Sequence, residues 1–214
     1  MFATLTFTAA RRRSLAARRG PWLVLLCHGL SQATALNANI TDQTGRPLAD
    51  AVVMLEPTTS AAAVKAMADV EIAQRNRQFV PQVTLITTGT RVTFPNFDTV
   101  RHHVYSFSPV KQFELKLYAA VPSAPVLFDK PGIAVLGCNI HDTMVAWVVV
   151  ADTPWAARSL ANGQAQISGV PAGTYRLRLW HAGMRSGNEP VTLPLTLGVA
   201  DLTETFQLVV SAEP

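Results

Sequence analysis

Short apolar runs and two-residue alternation, broken by glycine and proline, dominate the 214-residue chain after its first 36 positions. That pattern predicts strands rather than helices. Residues 37–41 alternate weakly before a Thr44-Gly45-Arg46-Pro47 turn signal, and 51–55 form a compact apolar strand stopped by Pro57. The alanine-rich stretch 58–70 has no breaker and predicts either a helical turn or two or an ordered loop. Residues 83–87 and 91–94 read as strands around Gly89, and 104–107 as another, rich in aromatic and branched side chains. Residues 109–125 predict a long, partly irregular connection, although Phe113, Leu115 and Leu117 alternate. Two strands, 126–128 and 133–136, flank the turn signal Lys130-Pro131-Gly132. Residues 145–150 are almost continuously apolar, as in a strand buried on both faces. Beyond Ala151 a connector begins at Asp152-Thr153-Pro154, followed by strands at 165–167, 175–180, 191–197 and 203–210. Many short strands at close spacing predict an all-β sandwich.

The first 35 residues carry a different texture. Arg11, Arg12, Arg13, Arg18 and Arg19 form a basic start, 22–27 (WLVLLC) a short apolar segment, and Ala33-Thr34-Ala35 a small-residue cleavage pattern. Together they predict a secretory signal over 1–35 and an exported, periplasmic mature chain. The apolar segment is shorter than the roughly 20 residues a membrane-spanning helix needs, and no later stretch is long and apolar enough to span. Removing the leader also changes the charge. The whole chain has 18 basic and 14 acidic residues; without five arginines the mature part has 13 against 14, a net of −1. A nucleic-acid partner is therefore not expected from charge. About 180 residues remain, enough for one core or for one domain with a small extension.

The leader takes Cys27 with it and leaves Cys138 as the lone cysteine of an exported chain. Cysteines in oxidising compartments usually pair, and one that cannot pair internally is a free thiol, an intermolecular link or a metal ligand. Its neighbours favour the ligand. Gly137-Cys138-Asn139-Ile140-His141-Asp142-Thr143-Met144 sets a thiolate, an imidazole and a thioether at three-residue intervals, and a histidine pair lies upstream at His102-His103. Two His, one Cys and a weak axial Met are the donors of a blue-copper electron-transfer centre. Side chains alternate along a strand, so one of the two adjacent histidines is expected to reach the metal. Zinc is the competing metal, with Asp142 as a fourth donor. Taken singly, His141 fits a surface histidine, Met144 core filler and Cys138 an inert buried thiol. His181 reads as structural or surface.

In this order the residues resemble the cupredoxin family. The Cys138, His141 and Met144 spacing is similar to that of amicyanin, and the run from Phe94 to Ser108 resembles the plastocyanin-like segment that carries the first ligand. Aligning on Val104 puts His102 at the ligand position and His103 where the family commonly has Asn. The run from Gln74 to His181 also looks like a bacterial group described as plastocyanin-like or methylamine-utilization proteins. Residues 39–53 and 167–177 resemble the opening and closing strands of carboxypeptidase-regulatory-like sandwiches.

The resemblance implies a Greek-key cupredoxin sandwich over 36–151 and a C-terminal β extension over 152–214, or else one regulatory-like sandwich made from 36–57 and that extension. It implies a single Cu(I)/Cu(II) ion held by His102, Cys138, His141 and Met144. It further implies a non-enzymatic carrier of single electrons, with redox partners such as a c-type cytochrome or a dehydrogenase. His141 would be the ligand nearest solvent, with Ile140 and Met144 in the docking surface. Two other classes remain open: a copper-binding or sensing module without electron transfer, and a metal-free β-sandwich adaptor.

Overall fold

The computed structural model describes residues 33–122, 124–184 and 189–211. Every regular element among them is a strand, and no helix there is long and apolar enough to cross a membrane. The expected leader lies outside the described residues up to position 32. Its last three residues, Ala33 to Ala35, open the first strand, β1 (Ala33–Asp42).

Two sandwiches share the chain. One is built from its two ends. β1 runs antiparallel to β14 (Gln164–Pro171) and parallel to β17 (Leu202–Leu208). The facing sheet has the order β13 (Ala156–Arg158), β2 (Val52–Pro57), β15 (Gly173–Trp180), β16 (Val191–Leu197). In β1 Leu36, Ala38 and Ile40 are buried at alternate positions, as are Tyr175, Leu177 and Leu179 in β15. The period of two lays these apolar rows on one inner face.

The middle of the chain forms the other sandwich. Its larger sheet has the order β6 (Val83–Thr87), β12 (Val145–Ala151), β11 (Gly132–Gly137), β8 (His102–Ser108), β9 (Lys111–Tyr118). Opposite lie β10 (Val126–Phe128), β7 (Thr90–Thr93) and the two-residue β3 (Val70–Glu71). A separate two-stranded hairpin is formed by β4 (Ala73–Arg75) and β5 (Gln78–Val80). Ile86, Phe94, Val104, Phe128, Leu136 and Val148 are buried between the layers. The other face of β6, β11 and β12 is covered as well. Val83, Ile133 and Val149 belong to the core of the first sandwich, and Trp147 sits 6.3 Å from Trp180. This double burial accounts for the unbroken apolar run at 145–150.

One expectation changes, and another is decided between its two alternatives. Residues 111–118 form a full strand rather than an irregular connection. It is an edge strand with one face in solvent, and Lys116 and Leu117 accommodate a bulge opposite His103 that breaks the alternation of burial after Leu115. The stretch 58–69 has no helical turn and runs as a loop over the surface.

Candidate metal centre

Strands β11 and β12 pair from Gly132↔Val150 to Gly137↔Val145, so residues 138–144 are the loop of a hairpin. Alternation then decides which side chains turn inward. Leu136 and Ala146 are buried, while Gly137 and Val145 face the other way. Cys138 and Met144, one position further along each strand, return to the core at 3% and 1% exposure. His141 stands at the tip of this loop, half-buried, and its carbonyl accepts the Met144 N–H at 2.9 Å in a tight turn. Three of the expected donors therefore come from one loop clamped by a paired strand on each side.

The fourth part comes from β8. Tyr105 pairs with Gly137 across the β8–β11 ladder. Following that antiparallel register back by three residues brings His102 level with the ligand loop. Tyr105 shares the outward face of Gly137, so His102, Val104 and Ser106 point inward. His102 is fully buried, with its Nδ1 4.0 Å from Cys138 Sγ and its ring 5.1 Å from that of His141, centroid to centroid, in an edge-to-face arrangement. One ligand atom from each of His102, Cys138 and His141 lies within 4.8 Å of the others. His103 turns to the opposite face, where its Nε2 lies 2.9 Å from Glu114 Oε1 and its ring centroid lies 5.4 Å from that of Tyr105, tilted by 39°. Asp142 is exposed and stands outside the cluster. His181 is far along the chain in the other sandwich, where its backbone N–H donates to Met184 Sδ.

The polar accounting of the cluster fits a metal. His141 Nδ1 is buried with no hydrogen-bond partner among the described residues, and an unsatisfied buried acceptor costs about 1–3 kcal/mol. Among the described residues, the hydrogen-bonding partner of His102 Nδ1 is the Cys138 sulfur. Cys138 is a free thiol in the core. Two imidazoles and a thiol with ligand atoms within 4.8 Å of one another, and a buried thioether in the same loop, form a soft, mixed N/S donor set that suits copper in either oxidation state.

Sequence reasoning did not find the support behind His102. Its Nε2 lies 2.7 Å from Asp98 Oδ2. Burial alone would raise the Asp98 pKa. Hydrogen bonds from the Arg77 and Asn76 N–H groups and from His102 outweigh it and hold the carboxyl below its ordinary value. Nearby, the Tyr118 hydroxyl donates to the Phe94 carbonyl and contacts Gln74, and burial pushes its pKa up to about 12. An Asp four residues before a His in an irregular segment carries no pattern that would have singled it out.

No family model and no curated protein matches the chain. Among solved structures it is similar to a purple cupredoxin from Nitrosopumilus maritimus, at 22% identity and a TM-score of 0.36, over 39% of this chain and 100% of that one. It is also similar to a reduced Cu(I) form of an amicyanin variant, at 19% identity and 0.36, over 46% and 98%. A copper-containing nitrite reductase from Thermus scotoductus aligns at 24% and 0.37, over 45% of this chain but only 25% of that enzyme. All three likenesses cover less than half of this chain. The side-chain geometry, not these likenesses, speaks for a metal.

Proposed function

We propose that the chain is a mononuclear type 1 copper protein that carries single electrons. The observation that carries this reading is the convergence of one ring nitrogen each from His102 and His141 with Cys138 Sγ within 4.8 Å, with His102 Nδ1 turned to the sulfur at 4.0 Å and His141 Nδ1 buried without a partner among the described residues. Cys138 is the thiolate ligand, His102 and His141 the imidazole ligands, and Met144 the weak axial donor. Bound copper supplies one reversible electron. The protein's part is to hold these four side chains in place on a rigid hairpin and a neighbouring strand, so that little rearranges when charge changes. His102 is fully buried and His141 is the more exposed of the two imidazoles, which makes His141 the port. Ile140 beside it is 46% exposed and offers an apolar contact for a redox partner such as a c-type cytochrome or a dehydrogenase. Such encounters bury little area and are short-lived. No bond-making step is assigned to the site.

The same proposal places the mature chain in the periplasm, following the leader expected over 1–35. The sandwich made from the chain's two ends is assigned a framing or partner-binding role, in keeping with the regulatory-like texture of 39–53 and 167–177.

The test is a Cu(II) titration of the mature protein followed by visible absorption, with Cys138→Ser as the control. An intense thiolate-to-copper band that disappears in the control is the expected result. No such band in a folded protein would falsify the reading.

A further inference from the structure

The hairpin β4–β5 turns through two residues, Asn76 and Arg77, with φ of 53° and 59°. Both lie in the left-handed region, the signature of a type I′ turn. Neither is glycine, so the turn is conformationally costly for an arginine. Its geometry aims two successive backbone N–H groups at one carboxylate: Asn76 N donates to Asp98 Oδ1 at 2.7 Å and Arg77 N to Asp98 Oδ2 at 2.9 Å. The segment is held from behind as well. Asp98 N donates to Asn96 Oδ1 at 2.9 Å, Asn96 Nδ2 donates to the Val100 and Tyr118 carbonyls, and the Arg75 guanidinium lies 3.7 Å over the Phe97 ring. Among the described residues, the remaining partner of this fixed carboxylate is His102 Nε2, on a ring with no solvent exposure.

A carboxylate only accepts hydrogen bonds. A neutral imidazole facing it carries its hydrogen on Nε2 and presents its lone pair at Nδ1, the atom turned to Cys138. A fixed negative charge on the far side of a ligand ring also strengthens the ring as a donor and favours the more highly charged metal.

We propose that Asp98, clamped by the Asn76-Arg77 turn, is a positioning residue that selects the Nδ1-donor tautomer of His102 and stabilises Cu(II) over Cu(I). The proposal rests on the copper reading above, but its first readout needs no metal. In the metal-free protein, 15N shifts of the His102 ring are expected to show hydrogen on Nε2; hydrogen on Nδ1 would overturn the assignment. In Asp98→Asn, a single amide oxygen must serve His102 and two backbone donors, while the amide NH2 meets donors it cannot bond. The expected consequence is a Cu(II) affinity lowered about ten-fold more than that of Cu(I), a rise in midpoint potential of about 59 mV. Asp98→Glu keeps the charge and is expected to shift the potential less. Equal potentials for wild type and Asp98→Asn, or equal shifts for Asn and Glu, would overturn the charge argument. A wild-type protein with no thiolate–copper band would instead sink the copper reading, and the metal-free tautomer would still decide whether Asp98 holds His102.

Discussion

His102 Nδ1 and Cys138 Sγ face each other at 4.0 Å, both buried, although they lie 36 residues apart in the chain. One ladder pair, Tyr105 with Gly137, sets the register that brings them level. A shift of that register by one residue would turn His103 inward and His102 out.

The first prediction follows from that alternation. His102→Asn is expected to abolish the thiolate–copper band, whereas His103→Asn is expected to keep it. Loss of the His103–Glu114 contact, whose carboxylate is half exposed, costs stability on the order of 0–1 kcal/mol. Spectra and urea unfolding of the two variants check this. A band lost in His103→Asn and kept in His102→Asn would reverse the ligand assignment.

Gly137 is the close-approach point of the site. A Cβ there would stand 2.7 Å from both Cζ and Oη of Tyr105. Gly137→Ala should therefore destabilise the metal-free protein by about 1–3 kcal/mol and, by pushing β8 from β11, shift the absorption band. Tyr105→Ala removes the obstacle, so the double variant should lose less than the sum of the singles. Strict additivity in a double-mutant cycle would show that the ring simply swings away.

Tyr118 predicts an alkaline limb. Its folded pKa is raised from 10.0 to about 12, with burial the main cause. The unfolded chain therefore gives up this proton first. The stability it contributes is complete below about pH 10 and falls as pH rises toward 12. In Tyr118→Phe that part of the loss should vanish, at the expense of the hydrogen bond to the Phe94 carbonyl, about 1 kcal/mol at neutral pH. Urea midpoints across pH 8–12 for both proteins give the comparison.

The start of β1 predicts a truncation effect. Thr34 is buried, Ala35 N donates to Asp201 Oδ1 at 2.8 Å, and Ala33 and Thr34 pair with Pro171 and Val170. A chain beginning at Leu36 should be less stable than one beginning at Ala33 by about 1–3 kcal/mol. Asp201→Ala in the longer chain should reproduce part of the loss. Identical unfolding curves for the two lengths would mean that these contacts contribute nothing measurable.

Strand character was legible along most of the chain because alternation and turn chemistry are local properties. Residues 145–150 declared a strand buried on both faces, and the structure supplies the two cores that bury it. Residues 111–118 alternated at Phe113, Leu115 and Leu117, but the short alternation of a bulged edge strand inside a long connection was too brief to mark a strand. The spacing of Cys138, His141 and Met144 was equally local, since one hairpin loop delivers all three. What tertiary structure alone decided was everything that depends on register between distant segments. Resemblance alone had put His102 at the ligand position; the β8–β11 ladder supplies the physical reason it faces Cys138 while His103 faces away. The chain's two ends join in one sandwich through the β1–β17 and β2–β15 pairs. The Asn76-Arg77 turn delivers two amides to Asp98 behind the buried imidazole. Side-chain type and short spacing are written in neighbouring residues, whereas pairing partners are chosen by burial and hydrogen bonding across the whole fold.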